Sequence, residues 1–288
     1  MDLGLFLPPL VACLVIVALH AYLGLHVIAR EVIFVDLSLA QMAALGSAVA
    51  VLAGIAPDST AAFAYALGFT TLGAALFAIT RTEGRGRVPQ EAIIGIVYVV
   101  ASAAAILVAD RSPRGAETIK DMLVGSLLWV TWPVIGRLAL VYGLVGLFHF
   151  VLRKRFLTIS FDPATALAKG WRIRWWDFLF YLSFGLVITF SVPVVGVLLV
   201  FSFLVVPAAI AFLVTRRTGS LALVAWLSGA VASAAGLLLS FRYDLPTAPL
   251  IVCVFGLLLF AAFVVRRAFD RRPHTAGAVE ETLPIAGG

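Results

Sequence analysis

The chain has 288 residues, of which 62% are hydrophobic and only 12% charged, with a mean hydropathy of +1.09. Soluble domains carry about 45–50% apolar and about 25% charged residues, which excludes a soluble enzyme or binding domain. The net charge of +6 implies no nucleic-acid partner, because membrane proteins gather Lys and Arg in their cytoplasmic connections.

Apolar runs long enough to cross a bilayer, or nearly so, lie at 4–28, 33–54, 59–80, 92–109, 125–152, 176–192, 194–214, 219–240 and 249–265. The expected fold class is all-α, a polytopic transmembrane helical bundle of eight to nine membrane helices. Residues 1–9 lack the basic stretch of a signal peptide, and the first run can span, so it is read as a retained helix. The exact count depends on 176–214. There, Ser191-Val192-Pro193 fits either a tight turn between two short spans or a kink in a re-entrant element. Cys13 and Cys253 both fall in apolar runs and suggest neither a disulfide framework nor a redox role.

The second run carries the most informative polar residues. Asp36, Ser38 and Gln41 sit in the stretch REVIFVDLSLAQMAALGS, at 30–47. A charge at membrane depth costs roughly 2.5–3.5 kcal/mol on insertion scales, so such residues face a bundle interior or a water-filled path. Ala40, Ala43, Ala44, Ser47 and Ala50 follow at helical spacing and make a seam that another helix can approach closely. The pattern fits a helix lining a translocation path. It also fits a snorkelling Asp36, paired with Arg30 at the rim, above an ordinary packing seam.

Charge in the connections orients the bundle. With Arg30 included, 16 of the 21 Lys and Arg fall on one side, leaving Arg111, Arg114, Lys120, Arg137 and Arg242 elsewhere. The positive-inside rule then places the N-terminus outside and the C-terminus in the cytoplasm. Residues 1–272 read as one transmembrane domain, and 273–288, rich in Gly, Pro and Thr, as a disordered cytoplasmic tail.

Two connections stand out. The segment 110–124 reads as an outward loop with both charge signs, and 156–175 as a cytoplasmic one. In the latter, Asp162 is an N-cap acid, Pro163 suits the first helical position, and Gly170 suits a C′ stop. A short capped helix outside the membrane follows. It serves either as a surface connector or as a knob for docking into a partner.

His20 and His26 lie in the first run. Each fits a hydrogen bond to a neighbouring helix more readily than a metal bond. His149 is placed at the interface, Glu91 as a first-turn acid, and Trp171, Trp175 and Trp176 as an interfacial belt. His274 falls in the tail. No H-E-x-x-H, C-x-x-C or G-x-x-x-x-G-K-[ST] pattern occurs, so a permanent metal site is not expected and ATP is not bound by a P-loop in this chain.

Four stretches together carry a resemblance. They are Phe34-Val35-Asp36-Leu37-Ser38-Leu39-Ala40-Gln41 with Gly46; Phe161-Asp162-Pro163 with Ala166 and Gly170; Val195-Gly196-Val197-Leu198-Leu199-Val200 through Leu204 and Pro207-Ala208-Ala209; and Asp244-Leu245-Pro246-Thr247. In this order, on this topology, the chain resembles the membrane permease subunit of the bacterial manganese/zinc/iron ABC importer family. The resemblance implies a multi-pass protein of the bacterial inner membrane, without enzymatic activity or a permanent cofactor, that passes divalent metal ions. It implies a permease homodimer in lipid, separate cytoplasmic ATP-binding subunits and an extracytoplasmic metal-binding receptor. It makes Asp162, Pro163, Ala166 and Gly170 the ATPase coupling helix. Gly46, Gly196, Pro207 and Pro246 become packing positions, and Asp36, Ser38 and Gln41 the path, with Asp36 a transient metal ligand.

One departure bears on the cargo. The family sets Asp and His four residues apart in the second span, ahead of a glycine. Counted from Gly46, Gln41 stands at the His position and Leu37 at the Asp position, with the acid one residue earlier at Asp36. Five residues are about 140° apart on a regular helix, so Asp36 and Gln41 do not share a face. Amide and carboxylate oxygens are harder ligands than imidazole, which argues against zinc. A permease of the same architecture for another solute, such as a metal chelate, is the nearest alternative. A channel or an intramembrane enzyme is the alternative from another class.

Overall fold

The computed structural model describes residues 3–57, 59–81, 88–111, 124–215 and 217–270. All regular structure among these residues is helical. The elements are α1 (Leu3–Ala29), α2 (Val35–Leu52), α3 (Thr60–Ile79), α4 (Gln90–Asp110), a 3-10 turn (Leu127–Trp129), α5 (Trp132–Val151), α6 (Arg153–Phe161), α7 (Pro163–Ala168), α8 (Ile173–Val214), α9 (Thr218–Tyr243) and α10 (Thr247–Asp270). Eight of these helices are long and apolar enough to cross a membrane. The expected tail and His274 lie outside the described residues, as do 112–123 of the expected outward loop.

The count of eight to nine resolves at α8. Its 42 residues would extend about 63 Å as one straight helix, twice a bilayer core. Instead the backbone breaks at Gly196, with φ 78 and ψ 157, a conformation open essentially to glycine alone. The break lies three residues past Pro193, which stays within the helix. Side-chain contacts show that the chain reverses there. In the first arm, α8a (173–195), Asp177 meets Arg30 and Ser191 meets His20, so this arm runs antiparallel to α1. In the second arm, α8b (197–214), Phe203 meets Phe255 and the Phe212 carbonyl meets Arg266, so it runs parallel to α10. α9 packs antiparallel to α1, with Phe6 against Phe241 and Gly229 against Val17. Because α9 and α10 form a hairpin, α10 and α8b share the direction of α1. The eight long helices therefore make nine passes among the described residues, matching the nine apolar runs.

The segment before α5 seals this reversal. The fifth apolar run begins at 125, yet α5 starts only at Trp132. Residues 124–131 instead fold over the α8 turn, where Ser126 donates its backbone N–H to the Val194 carbonyl (3.0 Å) and its Oγ to the Pro193 carbonyl (3.3 Å). Gly125, at φ +70, lies so close that a Cβ there would fall 2.3 Å from the Gly196 nitrogen.

Elsewhere small residues set the spacing. A Cβ on Gly24 would fall 1.9 Å from the Leu204 carbonyl oxygen, and one on Gly46 2.6 Å from that of Tyr65. Of the expected seam, Ala40, Ala43, Ala44 and Ala50 are buried and Ser47 is partly so, while neighbouring Gly46 is set against α3. The outer faces stay apolar, as in Val99, Leu107, Leu140 and Leu147, and suit contact with lipid. At the α9–α10 turn, Asp244 adopts a left-handed conformation and Ser240 Oγ donates to the Leu245 carbonyl (2.7 Å), so Pro246 can start the last helix.

Gly125→Ala should therefore lower the melting temperature of the purified protein by several degrees. It combines a left-handed strain of roughly 1–2 kcal/mol with overpacking of roughly 1–3 kcal/mol. Gly143→Ala on α5, where an added Cβ meets nothing within 4 Å, should leave it level or slightly higher. Equal melting of the two variants would contradict the sealed-turn geometry.

Candidate translocation path and coupling surface

Asp36 and Ser38 lie in the first turns of α2 and are buried, whereas Gln41 is only partly so. Asp36 Oδ1 accepts the Leu37 N–H at 2.7 Å. Its Oδ2, and Ser38 Oγ, are buried without hydrogen-bond partners. Asp36 is not held by Arg30, so the rim pairing is not what the structure shows. Arg30 is bonded to other groups.

Those groups form a buried polar node. Asp177, at the start of α8a, is fully buried and ion-paired through Oδ1 to Arg30 Nη1 (2.7 Å) and through Oδ2 to Arg81. Arg30 Nε donates to Ser160 Oγ (2.7 Å), which lies 2.8 Å from His26 Nδ1. The guanidinium rests 4.0 Å from the Phe180 ring centroid. One carboxylate thus ties α1, α3 and α8a, and through Ser160 also α6. A buried ion must be paired and hydrogen-bonded to be tolerated. The sequence reading missed this node, because Arg30 and Arg81 served there as markers of sidedness and Asp177 drew no notice. The available signal was an acid immediately after the Trp175-Trp176 pair, inside an apolar run.

Next to the node stands the expected capped helix. Asp162 accepts the Thr165 N–H at 3.1 Å, and Pro163 is the first residue of α7. Past its end Gly170, at φ +67, donates to the Leu167 carbonyl (2.9 Å), and the Trp171 N–H bonds the Ala166 carbonyl (3.2 Å). Those two bonds make a Schellman cap. Ala166 is fully buried against Ile159 and Ile173, while Asp162, Pro163, Leu167 and Lys169 are exposed. The helix is thus anchored by Ala166, with Thr165 partly buried, and presents its other residues outward. α6, which precedes it, was not expected as a helix.

Hydrogen bonds from the Thr165 hydroxyl and amide, with Lys169 nearby, hold the Asp162 carboxyl below its ordinary range. A lowered folded value gives a cap that is present above the unfolded carboxylate range, near about 3.9, and lost only as pH falls through the lower folded value.

Trp171 and Trp176 do more than flank a span, since Arg155 stacks 4.0 Å from the Trp171 ring and Trp176 packs on Phe156. His149 is buried rather than interfacial, 2.8 Å from Ser183 Oγ and stacked on Phe156. His20 Nδ1 bonds the Ile16 carbonyl within its own helix (3.0 Å). Among the described residues, no group of three or more His, Cys, Asp and Glu is placed to hold a metal.

Comparison with known proteins fits this architecture. The sequence pattern of the ABC 3 transport family runs through residues 3–266. The chain belongs to the ABC 3 transport family. Its relatives within and around that family include the manganese transport system membrane protein MntC of Listeria innocua, 30% identical over 77% of this chain and 80% of that protein. A probable iron transport system membrane protein of Haemophilus influenzae is 27% identical over 80% of this chain and 82% of its own length. The chelated iron transport system membrane protein YfeC of Yersinia pestis is 28% identical over 74% and 72%. In fold the chain matches PsaBC from Streptococcus pneumoniae with a TM-score of 0.76, at 21% identity over 91% of this chain and 93% of that one. It also matches an inward-facing putative metal-chelate type ABC transporter with a TM-score of 0.67, at 20% identity over 90% and 86%. As a member of this family, the chain is a multi-pass transport protein of the bacterial inner membrane.

Asp177→Asn would leave Arg30 and Arg81 facing one another without the charge that joins them. Removing one partner of a buried ion pair costs about 3–5 kcal/mol. Purified Asp177→Asn should therefore melt well below the wild type, and a variant replacing Asp177, Arg30 and Arg81 together by apolar residues should regain much of the loss. A single substitution that melts like the wild type would contradict the node.

Proposed function

We propose that the protein is the permease subunit of an ATP-driven importer for a divalent first-row metal ion, with manganese or iron favoured over zinc. The named cargoes of the relatives support the metal, and the oxygen-only character of Asp36, Ser38 and Gln41 supports a hard cation. The observation that carries the reading is α7. It is a doubly capped helix, exposed but for Ala166 and partly buried Thr165, standing beside a buried ion node that reaches three long helices. The end of the bundle bearing α7 is then cytoplasmic, with the N-terminus outside. α7 docks on a separate ATP-binding subunit, and a receptor delivers metal on the far side. Two copies of the chain surround the path, because one copy offers a single helix with few ligands. Asp36 meets the ion transiently, as release requires. No permanent metal or cofactor is part of this reading.

Substitutions at the caps should separate transport from assembly. Asp162→Ala removes the N-cap, and Gly170→Val forces a branched residue into a left-handed position. Both variants should reach the membrane at normal levels yet lose the ATPase stimulation that accompanies uptake. Because the Asp162 carboxyl is held low, stimulation in the wild type should be flat between about pH 6 and about pH 8. Gly170→Val with intact stimulation and uptake would remove α7 from the coupling role.

Asp36→Asn keeps shape and removes charge. Manganese uptake should fall to background while expression and complex assembly stay near normal. Gln41→His should do less and shift preference toward zinc, since imidazole suits that metal. If Asp36→Asn lowered protein level and uptake in proportion, Asp36 would be a folding residue.

A further inference from the structure

An open groove of about 540 Å3 lies between the end of α3 and the start of α8a. Its two sides differ in residue size. α3 contributes Ala75, Ala78 and Ile79, with the two alanines three residues apart on one helix face. Across from them stand Trp171, Trp175 and Phe178. The helices meet on a neighbouring face, where Phe77 packs on Tyr181 with ring centroids 5.9 Å apart and Arg81 bonds Asp177. That contact fixes their separation, and the alanines beside it are too small to fill the space that remains.

The groove lies where hydrocarbon gives way to headgroups. It joins the last turns of one spanning helix to the first turns of another, and Ile79 and Trp175 on its two sides are 70% and 55% exposed. Tryptophan is enriched at that level of a bilayer. The rim is cationic. Arg172 lines the groove and is exposed. Two further cations gather on Trp171, with Arg155 4.0 Å and Lys169 5.5 Å from its ring. The acids of this corner are engaged elsewhere, Asp177 by Arg30 and Arg81 and Asp162 by the cap of α7. An apolar floor under a positive rim, at the bilayer surface, complements an amphiphile with an acyl chain and an anionic head.

We propose that this groove binds one anionic phospholipid from the leaflet on the α7 side. An acyl chain lies between the alanines of α3 and the aromatic side chains of α8a, and the phosphate meets Arg172, with Arg155 and Lys169 adding to the field. The volume suits such a ligand, since small-molecule sites run from about 300 to about 1,000 Å3. Basic pockets between membrane helices take anionic headgroups for the same electrostatic reason. A zwitterionic lipid makes the same apolar contacts but gains little from the rim. The ATP-binding subunit is a poorer fit, because Ala75 and Ile79 lie within a membrane span. The site requires only that the chain sits in a bilayer, so it stands apart from the reading of its cargo. A bound lipid braces α3 against α8a beside the Arg81–Asp177 pair.

The test is lipid retention by the purified full-length protein, offered phosphatidylglycerol or phosphatidylcholine in detergent and read by native mass spectrometry. The wild type should hold one phosphatidylglycerol per chain and several-fold less phosphatidylcholine. Arg172→Gln should weaken phosphatidylglycerol retention roughly fivefold, the effect of one cation near an anionic headgroup, and leave phosphatidylcholine unchanged. Ala75→Trp fills the groove and should lose the bound lipid. Equal retention of the two lipids by the wild type, or undiminished phosphatidylglycerol on Arg172→Gln, would overturn the proposal. Should Ala75→Trp fail to fold, the wild type decides in nanodiscs that contain phosphatidylglycerol with a photoreactive acyl chain. Crosslinks within 75–79 and 171–178 support the site, and crosslinks that avoid both segments overturn it. Crosslinks that vanish when the ATP-binding subunit is added would assign the groove to that subunit and overturn the lipid. A complex that holds the lipid but moves no divalent metal would sink the permease reading and leave this site standing.

Discussion

Asp177 is the point on which the lower half of the bundle depends. It is a carboxylate with no access to solvent, and it persists there because two arginines from different helices close on it. Each partner fixes a helix end that hydropathy alone leaves free to slide, α1 through Arg30 and α3 through Arg81. Arg30 then passes the constraint on, since its Nε reaches Ser160 and Ser160 reaches His26. Packing of apolar helices in lipid is weakly directional, because lipid tails are as apolar as the side chains they would be exchanged for. A buried ion node supplies direction, and at the level of the fold it sets the register of the helices around it.

The same node gives α7 something to push against. Ser160 sits two residues before Asp162, and Ala166 is locked between Ile159 and Ile173 on the flanking helices. On the proposed coupling role, a displacement of α7 would be carried into α6 and the start of α8, and from there to Arg30 and Arg81. Asp36 follows Arg30 by six residues, across the short connection between α1 and α2. If α7 is the docking element and Asp36 a path residue, as proposed, the route between them is short and runs through caps and the Asp177 ion pairs. At the far end, the Gly196 reversal held by Ser126 lets α8 return as a second arm, so both arms pack beside α1.

Hydropathy made the passes legible, and the nine apolar runs reappear as nine passes. The Asp162–Gly170 helix was legible too, because caps are written in local residue types. The turn in α8 was misplaced. Proline marks a break by its chemistry, yet Pro193 is tolerated inside α8a, and the reversal falls at Gly196, where only the backbone angle demands glycine. Arg30, Arg81 and Asp177 were legible one by one, but their meeting depends on which helices pack together, and no spacing in the sequence encodes that. His149 was misjudged for the same reason, since its burial comes from α6 and α8. The sequence exposed Asp36 as an acid out of place, while Glu91 looked like an ordinary first-turn acid. Its turn toward Phe34 is a product of the α2–α4 contact.

The most direct test of the whole account is ATP-dependent Mn2+ accumulation in proteoliposomes holding this permease with its ATP-binding subunit, supplied with the metal receptor on the side opposite α7. The account predicts that Mn2+ gathers on the α7 side against its gradient only when ATP is hydrolysed there, at the expense of neither Zn2+ competition nor leak. Mn2+ that flows down its gradient without ATP, or ATP hydrolysis that moves no divalent metal, would contradict it.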